Sequence, residues 1–193
     1  MRIIAGRYKG RRLKTPVWEG LRPTSDRLRE TLFNILSAEV DGAFVLDGYA
    51  GTGALGIEAL SRGAVRVVFV EHDRRAAELI AENLQHCGIA EGCAIMRADI
   101  GRLSQPGGAR PFDLILLDPP YDGVDLAGAV GQAARWLSAA GVLVLEHARR
   151  RVSPPSAGGL ARMRVVHAGD SALSFYRHDN ADASTAGDDR ASP

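Results

Sequence analysis

The sequence has few cysteines and no long apolar run, and each of these absences excludes a class of protein. Only Cys87 and Cys93 are present among 193 residues, with no C-x-x-C pair, so neither a disulfide framework nor a cysteine zinc site is indicated. No apolar stretch reaches membrane-spanning length, and residues 1–7 lack the apolar region of a secretory signal. The five histidines are scattered and indicate no metal site. We therefore expect a cytoplasmic protein with no membrane partner.

What is present is an ordinary globular composition with an uneven charge distribution. The chain is 46% hydrophobic and 24% charged, with a formal net charge of +1, which suits one domain with a full core. Residues 1–30 nevertheless carry nine Arg or Lys against three acids, whereas residues 179–193 carry four Asp against one Arg. The basic front end suggests a polyanionic partner, although a solvated basic face is the alternative.

A glycine-rich turn lies in the first half of the chain. Residues 43–47 predict a buried strand and residues 54–60 the helix after it, with Gly51 and Gly53 between them. These glycines allow positive φ and close approach of a ligand to backbone N–H groups. Glu71 follows at about 20 residues, the spacing of an acid that accepts hydrogen bonds from ribose hydroxyls. The pattern predicts a site for a cofactor that contains adenosine, without saying which one.

The remaining periodicity predicts an α/β protein. Apolar runs predict further strands at residues 65–71, 94–98, 112–118, 141–146, 163–167 and 172–177, and helical spacing predicts helices after Thr24 or Ser25, after Asp73, and over residues 126–137. We expect a doubly wound, Rossmann-like sheet of about seven strands with a terminal antiparallel hairpin and a small N-terminal β extension. The expected division is a basic extension (1–20), the main domain (21–178) and a disordered acidic tail (179–193).

The fourth predicted strand ends in Asp118-Pro119-Pro120-Tyr121. Ligands of open α/β sheets bind outside the carboxyl ends of the strands, so this tetrad should lie beside the cofactor. Two prolines remove two N–H donors and fix the backbone, which leaves a rigid rim of acceptors with a ring that can stack. Such a rim suits the exocyclic amino group of a nucleobase. The alternative is a structural Pro-Pro turn with Tyr121 packed inside.

The glycine turn with Glu71 and the Asp-Pro-Pro-Tyr tetrad resemble those of S-adenosylmethionine-dependent amino methyltransferases. Three stretches make the resemblance more specific: MRIIAG at residues 1–6 with Gly10-Arg11, LRPTSDRLRETLFN at residues 21–34, and AGTGALGIEALSRG at residues 50–63. Over residues 1–178 the chain resembles the bacterial 16S ribosomal RNA guanine-N2 methyltransferase family (RsmD). It departs from the family at Gly48, where relatives usually carry a larger residue.

The resemblance implies transfer of a methyl group from S-adenosylmethionine to the 2-amino group of a guanine in 16S rRNA, within the 30S subunit or its assembly intermediate, by a monomer without metal. The implied cofactor residues are Asp47, Gly51, Gly53, Glu71, His72, Asp99 and Ile100. For Asp99 the alternative is an acid in a loop that has no role in binding. The implied catalytic residues are Asp118, Pro119, Pro120 and Tyr121, and the implied RNA-binding residues are Arg7, Lys9, Arg11, Arg12 and Arg22. Within methyltransferases, DNA adenine or cytosine or a protein glutamine are alternative substrates. A nucleotide-dependent oxidoreductase and a non-catalytic RNA-binding module are the alternatives outside that class.

Overall fold

The structure is a computed structural model that describes residues 1–16, 25–103, 110–120 and 123–179. Its helices are α1 (Asp26–Ile35), α2 (Ser37–Val40), α3 (Ala54–Ser61), α4 (Arg74–His86) and α5 (Leu126–Ala134), with a 3₁₀ helix at Ile100–Arg102. Its strands are β1 (Phe44–Gly48), β2 (Arg66–Glu71), β3 (Cys93–Arg97), β4 (Phe112–Leu117), β5 (Leu137–Ala148), β6 (Ser156–Ala157), β7 (Leu160–Ala168) and β8 (Ser171–His178).

All of these strands form one sheet, in the order β3-β2-β1-β4-β5-β8-β7-β6. Strands β1 to β5 are parallel, and β8, β7 and β6 extend the sheet in antiparallel fashion. The predicted fold class is therefore confirmed. The sheet has eight strands, against the about seven expected, because the two-residue strand β6 pairs with the start of β7. The strand order reverses between β1 and β4, which is where such sheets bind ligands.

The sheet has a hydrophobic layer on each face, because alternate side chains of a strand point to opposite faces. Val45 and Leu116 pack against residues of α1 to α4 on one face, while Leu46 and Leu117 pack against α5 and the 3₁₀ helix on the other. We call the edge of the sheet where β1, β2, β4 and β5 end the carboxyl edge. Within the described residues no helix is both long enough and apolar enough to cross a membrane.

The predicted boundary between α5 and β5 is wrong by several residues. Helix α5 ends at Ala134, and β5 already begins at Leu137, whereas the pattern predicted a helix to 137 and a strand from 141. The cause is a tertiary contact: the N–H of Phe112 donates to the carbonyl of Trp136 at 2.7 Å, and Phe112 pairs with Leu137. Because of this pairing, β5 begins four residues before the position that the sequence pattern predicted.

Residues 1–16, here called the N-terminal arm, are packed against the core. The expected β extension is reduced to one antiparallel bridge, between Arg2 and Arg12. Ile3 and Leu13 are buried, at 1% and 5% exposure. The carboxylate of Glu58 in α3 accepts hydrogen bonds from the N–H groups of Ile4 and Ala5 at 2.8 and 3.1 Å. The expected boundary at residue 20 and the tail from residue 180 onward lie outside the described residues.

Candidate active site

Three carboxylates meet on one face of the sheet at the carboxyl edge. Asp47 of β1 pairs with Phe69 of β2 and Leu116 of β4. Glu71 and Asp118 each lie two residues further along their chains, so both point to the same face as Asp47. Two of the sequence-predicted cofactor acids, Asp47 and Glu71, and the predicted catalytic acid Asp118 are thus brought together.

Asp47 is 1% exposed, and its environment disfavours a negative charge. Its Oδ2 accepts a hydrogen bond from the N–H of Gly56 at 2.8 Å, while Oδ1 has no hydrogen-bond partner within the described part of the chain. Burial raises the pKa of this carboxyl well above 3.8, and the charges of Asp118 and Glu71 raise it further against the opposing effect of the Gly56 hydrogen bond. A cation bound beside Asp47 would stabilise the charged form of this carboxyl.

In the glycine turn, every second residue from Tyr49 to Gly53 has a left-handed backbone conformation. Gly51 and Gly53 have φ of 55° and 78°, as the motif predicted, and Tyr49 has a φ of 65°. A non-glycine residue in this region is strained by about 1–3 kcal/mol, and such strain is typical of ligand sites. Gly56 has a different role, because a Cβ there would lie 2.3 Å from Cε1 of Phe69, so glycine is needed for the close packing of α3 on β2.

Helix α3 begins at the end of the glycine turn with Gly53 as its N-cap, and no side chain caps it among the described residues. The first N–H groups of a helix have no partner within the helix and attract anions. One of these groups, that of Gly56, is already satisfied by Asp47. The other N–H groups at the start of α3 are therefore suited to bind the carboxylate of a ligand.

Glu71 is held firmly at the end of β2. Its Oε2 accepts from the N–H of Gly51 at 2.9 Å and its Oε1 from the N–H of Asp73 at 2.8 Å. The predicted cofactor residue His72 is 73% exposed, with Nδ1 3.1 Å from Oε1 of Glu71. The acid expected to bind a ribose therefore also fixes the glycine turn.

Asp99 and Ile100 lie in the segment after β3, at the start of the 3₁₀ helix. Asp99 is exposed and caps the 3₁₀ helix by accepting from the N–H of Gly101 at 2.8 Å. Ile100 is buried and fills the space beside Gly48, where a Cβ would lie 2.4 Å from its Cδ1. Burial and the charge of Asp99 raise the pKa of Tyr49, which places this phenol near Asp99. Sequence reasoning missed Tyr49, because nothing in its local sequence predicts a left-handed tyrosine.

The acceptor rim follows β4 directly. Asp118 is half-buried, Pro119 is buried and Pro120 is exposed, while Tyr121 lies outside the described residues. The loop resumes at Gly123, and the Nη2 atom of Arg151 donates to the carbonyl of Val124 at 2.8 Å. Arg151 therefore links the turn that follows β5 to the segment directly before α5. Glu146, buried near the end of β5, is a further acid at this edge that sequence reasoning did not single out.

Four of the five predicted RNA-binding residues, Arg7, Lys9, Arg11 and Arg12, lie on the arm, away from the rim. Arg7, Lys9 and Arg12 are exposed, and the N–H of Arg7 donates to the carbonyl of Ser61 at the end of α3 that is remote from the glycine turn. Arg11 donates to the carbonyl of Cys87 and lies 5.0 Å from the ring centroid of Tyr8. Arg22 lies outside the described residues.

Asn83 of α4 connects the arm to the glycine turn. Its side chain is fully buried, its Oδ1 accepts from the N–H of Lys14 at 2.7 Å, and its Nδ2 donates to the carbonyls of Lys14 and Thr52 at 3.2 and 3.0 Å. Sequence reasoning did not identify it, since a single Asn in an amphipathic helix has no distinctive pattern. Across the described ranges, no group of three or more His, Cys, Asp or Glu is arranged to hold a metal ion.

The sheet order, the glycine turn and the acids at the strand ends define a Rossmann-like methyltransferase fold. The structure is similar to that of an Escherichia coli protein described as "putative methyltransferase yhhF", with a TM-score of 0.80 and 32% identity over 93% of this chain and 98% of that one. The model of the family described as conserved hypothetical protein 95 matches residues 1–177. The chain belongs to this family, which is the RsmD family.

Two curated relatives indicate how far the likeness extends. The chain is 45% identical over 123 residues to the ribosomal RNA small subunit methyltransferase D of Haemophilus influenzae, a match covering 63% of the chain and 64% of the relative. It is 34% identical over 181 residues to a Bacillus subtilis protein named "putative rRNA methyltransferase YlbH", covering 92% and 98% of the two chains. The first match thus spans about two thirds of each protein, and the second nearly all.

Proposed function

We propose that the protein is an S-adenosylmethionine-dependent methyltransferase that modifies the 2-amino group of a guanine in 16S rRNA. The observation that carries the proposal is that Asp118, the first residue of the Asp118-Pro119-Pro120 rim, follows β4 at the carboxyl edge, where its charge acts on Asp47 together with that of Glu71. The relatives named as ribosomal RNA small subunit methyltransferase D support the choice of substrate.

The residues present fit S-adenosylmethionine. This cofactor carries a sulfonium and an ammonium group. Burial, and to a smaller extent the charges of Asp118 and Glu71, raise the pKa of Asp47, so a cation bound beside this carboxylate would stabilise its charged form. Its carboxylate matches the uncapped start of α3. Glu71 would accept from the ribose hydroxyls, with Gly51, Gly53 and His72 contributing to the same part of the site, and Asp99 and Ile100 would contact the adenine. When bound, the cofactor supplies an activated methyl group.

The protein's own residues would orient the acceptor. The lone pair of an amino group on guanine is delocalised into the ring, so the nitrogen is a poor nucleophile. The Asp118 carboxylate and the Pro119 carbonyl would accept its two N–H bonds and direct the lone pair toward the methyl group, while Pro120 stiffens the rim and Tyr121 stacks on the base. Catalysis would then consist mainly of positioning, with no metal.

The substrate would be 16S rRNA in the 30S subunit or its assembly intermediate, bound by a monomer in the cytoplasm. The exposed Arg7, Lys9 and Arg12 would contact phosphates, together with Arg11 and Arg22. The aromatic ring of Tyr8 already supports Arg7 and Arg11 at 5.5 and 5.0 Å from its centroid.

The test is a comparison of methyl acceptors. Purified protein with labelled S-adenosylmethionine is offered 30S particles, naked 16S rRNA, duplex DNA and protein, and the product is digested to nucleosides. We expect N2-methylguanosine from 30S particles, and none with the Asp118→Ala variant. Label in DNA or protein would overturn the proposed substrate. Binding of nicotinamide dinucleotides without binding of S-adenosylmethionine would favour the oxidoreductase alternative.

A further inference from the structure

Residues 149–152, here called the arginine turn, follow β5 at the carboxyl edge. The turn contains Arg149, Arg150, Arg151 and Val152, and the first two are exposed. Val152 is 87% exposed, more than Met163 at 63% and Val65 at 52%. Two cations and an aliphatic side chain are therefore displayed together.

The arginine turn is anchored at its start. The N–H of Arg149 donates to the carbonyl of Asp170 in the β7–β8 turn at 2.7 Å, and the N–H of Arg151 donates to the carbonyl of Ala148 at 2.9 Å. The guanidinium of Arg151 points back to the loop after the rim, where it holds the carbonyl of Val124. The turn and the loop that carries the proposed catalytic residues are thus in direct contact.

The end of the turn is anchored by a buried polar network. Ser153 is 1% exposed, and its hydroxyl lies 2.7 Å from that of Ser174, which is 2.9 Å from Nε2 of His147. Nη1 of Arg162 donates to the Ser153 hydroxyl at 2.8 Å. Because the residues on both sides of Val152 are fixed, its exposure is a consequence of the fold.

We propose that the arginine turn is a second RNA-contact surface, in which Arg149 and Arg150 bind phosphates that flank the target guanine. Val152 would pack against the base stack where the extruded guanine has left a gap. Enzymes that act on a base take it out of the stack, and apolar side chains inserted between bases are a known means of stabilising such distortion. The inference rests on the proposed function, which it deepens by naming how the RNA is held near the reaction.

The position of the N-terminal arm supports a second contact. Arg7 is fixed to Ser61, at the end of α3 that is remote from the glycine turn. The arm alone would therefore hold the RNA at a distance from Asp118. In contrast, β5 pairs with β4 up to Leu145 and Leu117, so the arginine turn lies at the same edge as the rim. Contacts at both places would fix the RNA on two sides of the site.

The test uses four variants of the full chain with the target RNA. Arg149→Ala combined with Arg150→Ala removes two cations at the carboxyl edge. Arg66→Ala removes an exposed arginine at the start of β2, on the opposite edge. Val152→Ser replaces the exposed valine of the arginine turn, and Val65→Ser, which replaces an exposed valine directly before β2, is its control. Affinity for 16S rRNA and for 30S particles is measured across a salt series, with S-adenosylmethionine affinity and the single-turnover rate at saturating RNA.

We expect the double arginine variant to bind RNA more weakly, with a salt slope lower by about 0.7–0.9 for each lost contact, and with unchanged cofactor affinity. Val152→Ser should keep the salt slope and lose single-turnover rate severalfold, while Arg66→Ala and Val65→Ser match the parent. A parental affinity and slope in the double variant would overturn the proposal. So would weaker binding to 30S particles with unchanged binding to naked rRNA, because the partner would then be a protein. The binding readout needs no methyl transfer, so failure of the proposed function is seen separately, in the parent's activity.

Discussion

The carboxylate of Glu71 accepts a hydrogen bond from the N–H of Gly51 at 2.9 Å, although the two residues are 20 apart in the sequence. The acid expected to bind the cofactor thus also holds the turn in the shape that the cofactor needs. Because Glu71 bonds a second N–H, that of Asp73, it joins the end of β2 to the start of α4 as well.

Replacing Glu71 should therefore affect both the fold and the cofactor. Glu71→Ala leaves the N–H groups of Gly51 and Asp73 without an acceptor, at about 1–3 kcal/mol for each buried group, and removes the proposed ribose contact. We expect lower stability in urea unfolding and weaker S-adenosylmethionine binding by calorimetry. Glu91→Ala is the control, since Glu91 is an exposed acid in the turn before β3, outside the proposed cofactor site. Unchanged cofactor affinity in folded Glu71→Ala would remove this acid from the site.

Asp47 should make the stability of the cofactor-free protein fall as the pH rises. Its pKa is raised above 3.8 by burial, so its contribution to the free energy of unfolding is full below that value and is lost as the pH rises through the raised pKa. Asp47→Asn should therefore lose less stability than the parent as the pH rises above 3.8. Equal pH profiles for the two proteins would show that Asp47 is ionised without cost.

Asp118 and Tyr121 should act on turnover and leave cofactor binding largely unchanged. Asp118→Ala removes an acceptor for the amino group, so methyl transfer should be abolished while calorimetry still detects S-adenosylmethionine binding. Tyr121→Phe should retain much of the activity and Tyr121→Ala should lose most of it, because stacking requires the ring. If Tyr121→Phe were as inactive as Tyr121→Ala, the hydroxyl would have a role beyond stacking.

The basic residues of the arm can be removed without removing the arm. Changing Arg7, Lys9 and Arg12 to Ala should weaken binding of 16S rRNA and lower its salt slope by about 2–3 in total for three phosphate contacts. Stability and cofactor affinity should not change, because all three side chains are exposed. The opposite pattern is expected for Ile3→Ala, since Ile3 is 1% exposed and its loss should cost about 2–5 kcal/mol of stability. A parental salt slope in the triple variant would move the RNA surface elsewhere.

His147 should make the protein sensitive to mild acid. Burial lowers its pKa below 6.5, against the opposing hydrogen bonds to Ala148 and Arg151. A histidine with a lowered pKa stabilises the fold fully above 6.5, and this contribution is lost as the pH falls through the lowered value. The parent should therefore lose more unfolding free energy than His147→Gln between pH about 7 and about 5. Parallel losses in both proteins would show that other groups control the acid response.

The sequence predicted the strands and the acids that follow them well, because a buried parallel strand is a continuous apolar run that ends abruptly at a polar residue. Asp47, Glu71 and Asp118 were all found in this way, and the structure brings them to one face. The boundary at Leu137 was wrong because the pairing of Phe112 with β5 is a tertiary contact that local periodicity cannot represent.

The residues that the sequence did not predict are those whose role depends on distant partners. Asn83 connects Lys14 and Thr52, which are 69 and 31 residues away, and Glu58 bonds the arm from α3. The exposure of Val152 was equally hidden, because it depends on the network of Ser153 with β8. The roles of such side chains can be recognised only in the folded structure, because their partners are distant in the sequence.

The docking of the N-terminal arm also sets an order of events during synthesis. Its partners lie far along the chain: Ile4 is separated from Glu58 by 54 residues, and Arg11 from Cys87 by 76. At about 5–20 residues per second, roughly 4–15 s pass between the synthesis of Arg11 and that of its partner. The arm therefore leaves the ribosome before α3 and α4 but reaches its final position only after they have formed, and its cations acquire a fixed arrangement only then.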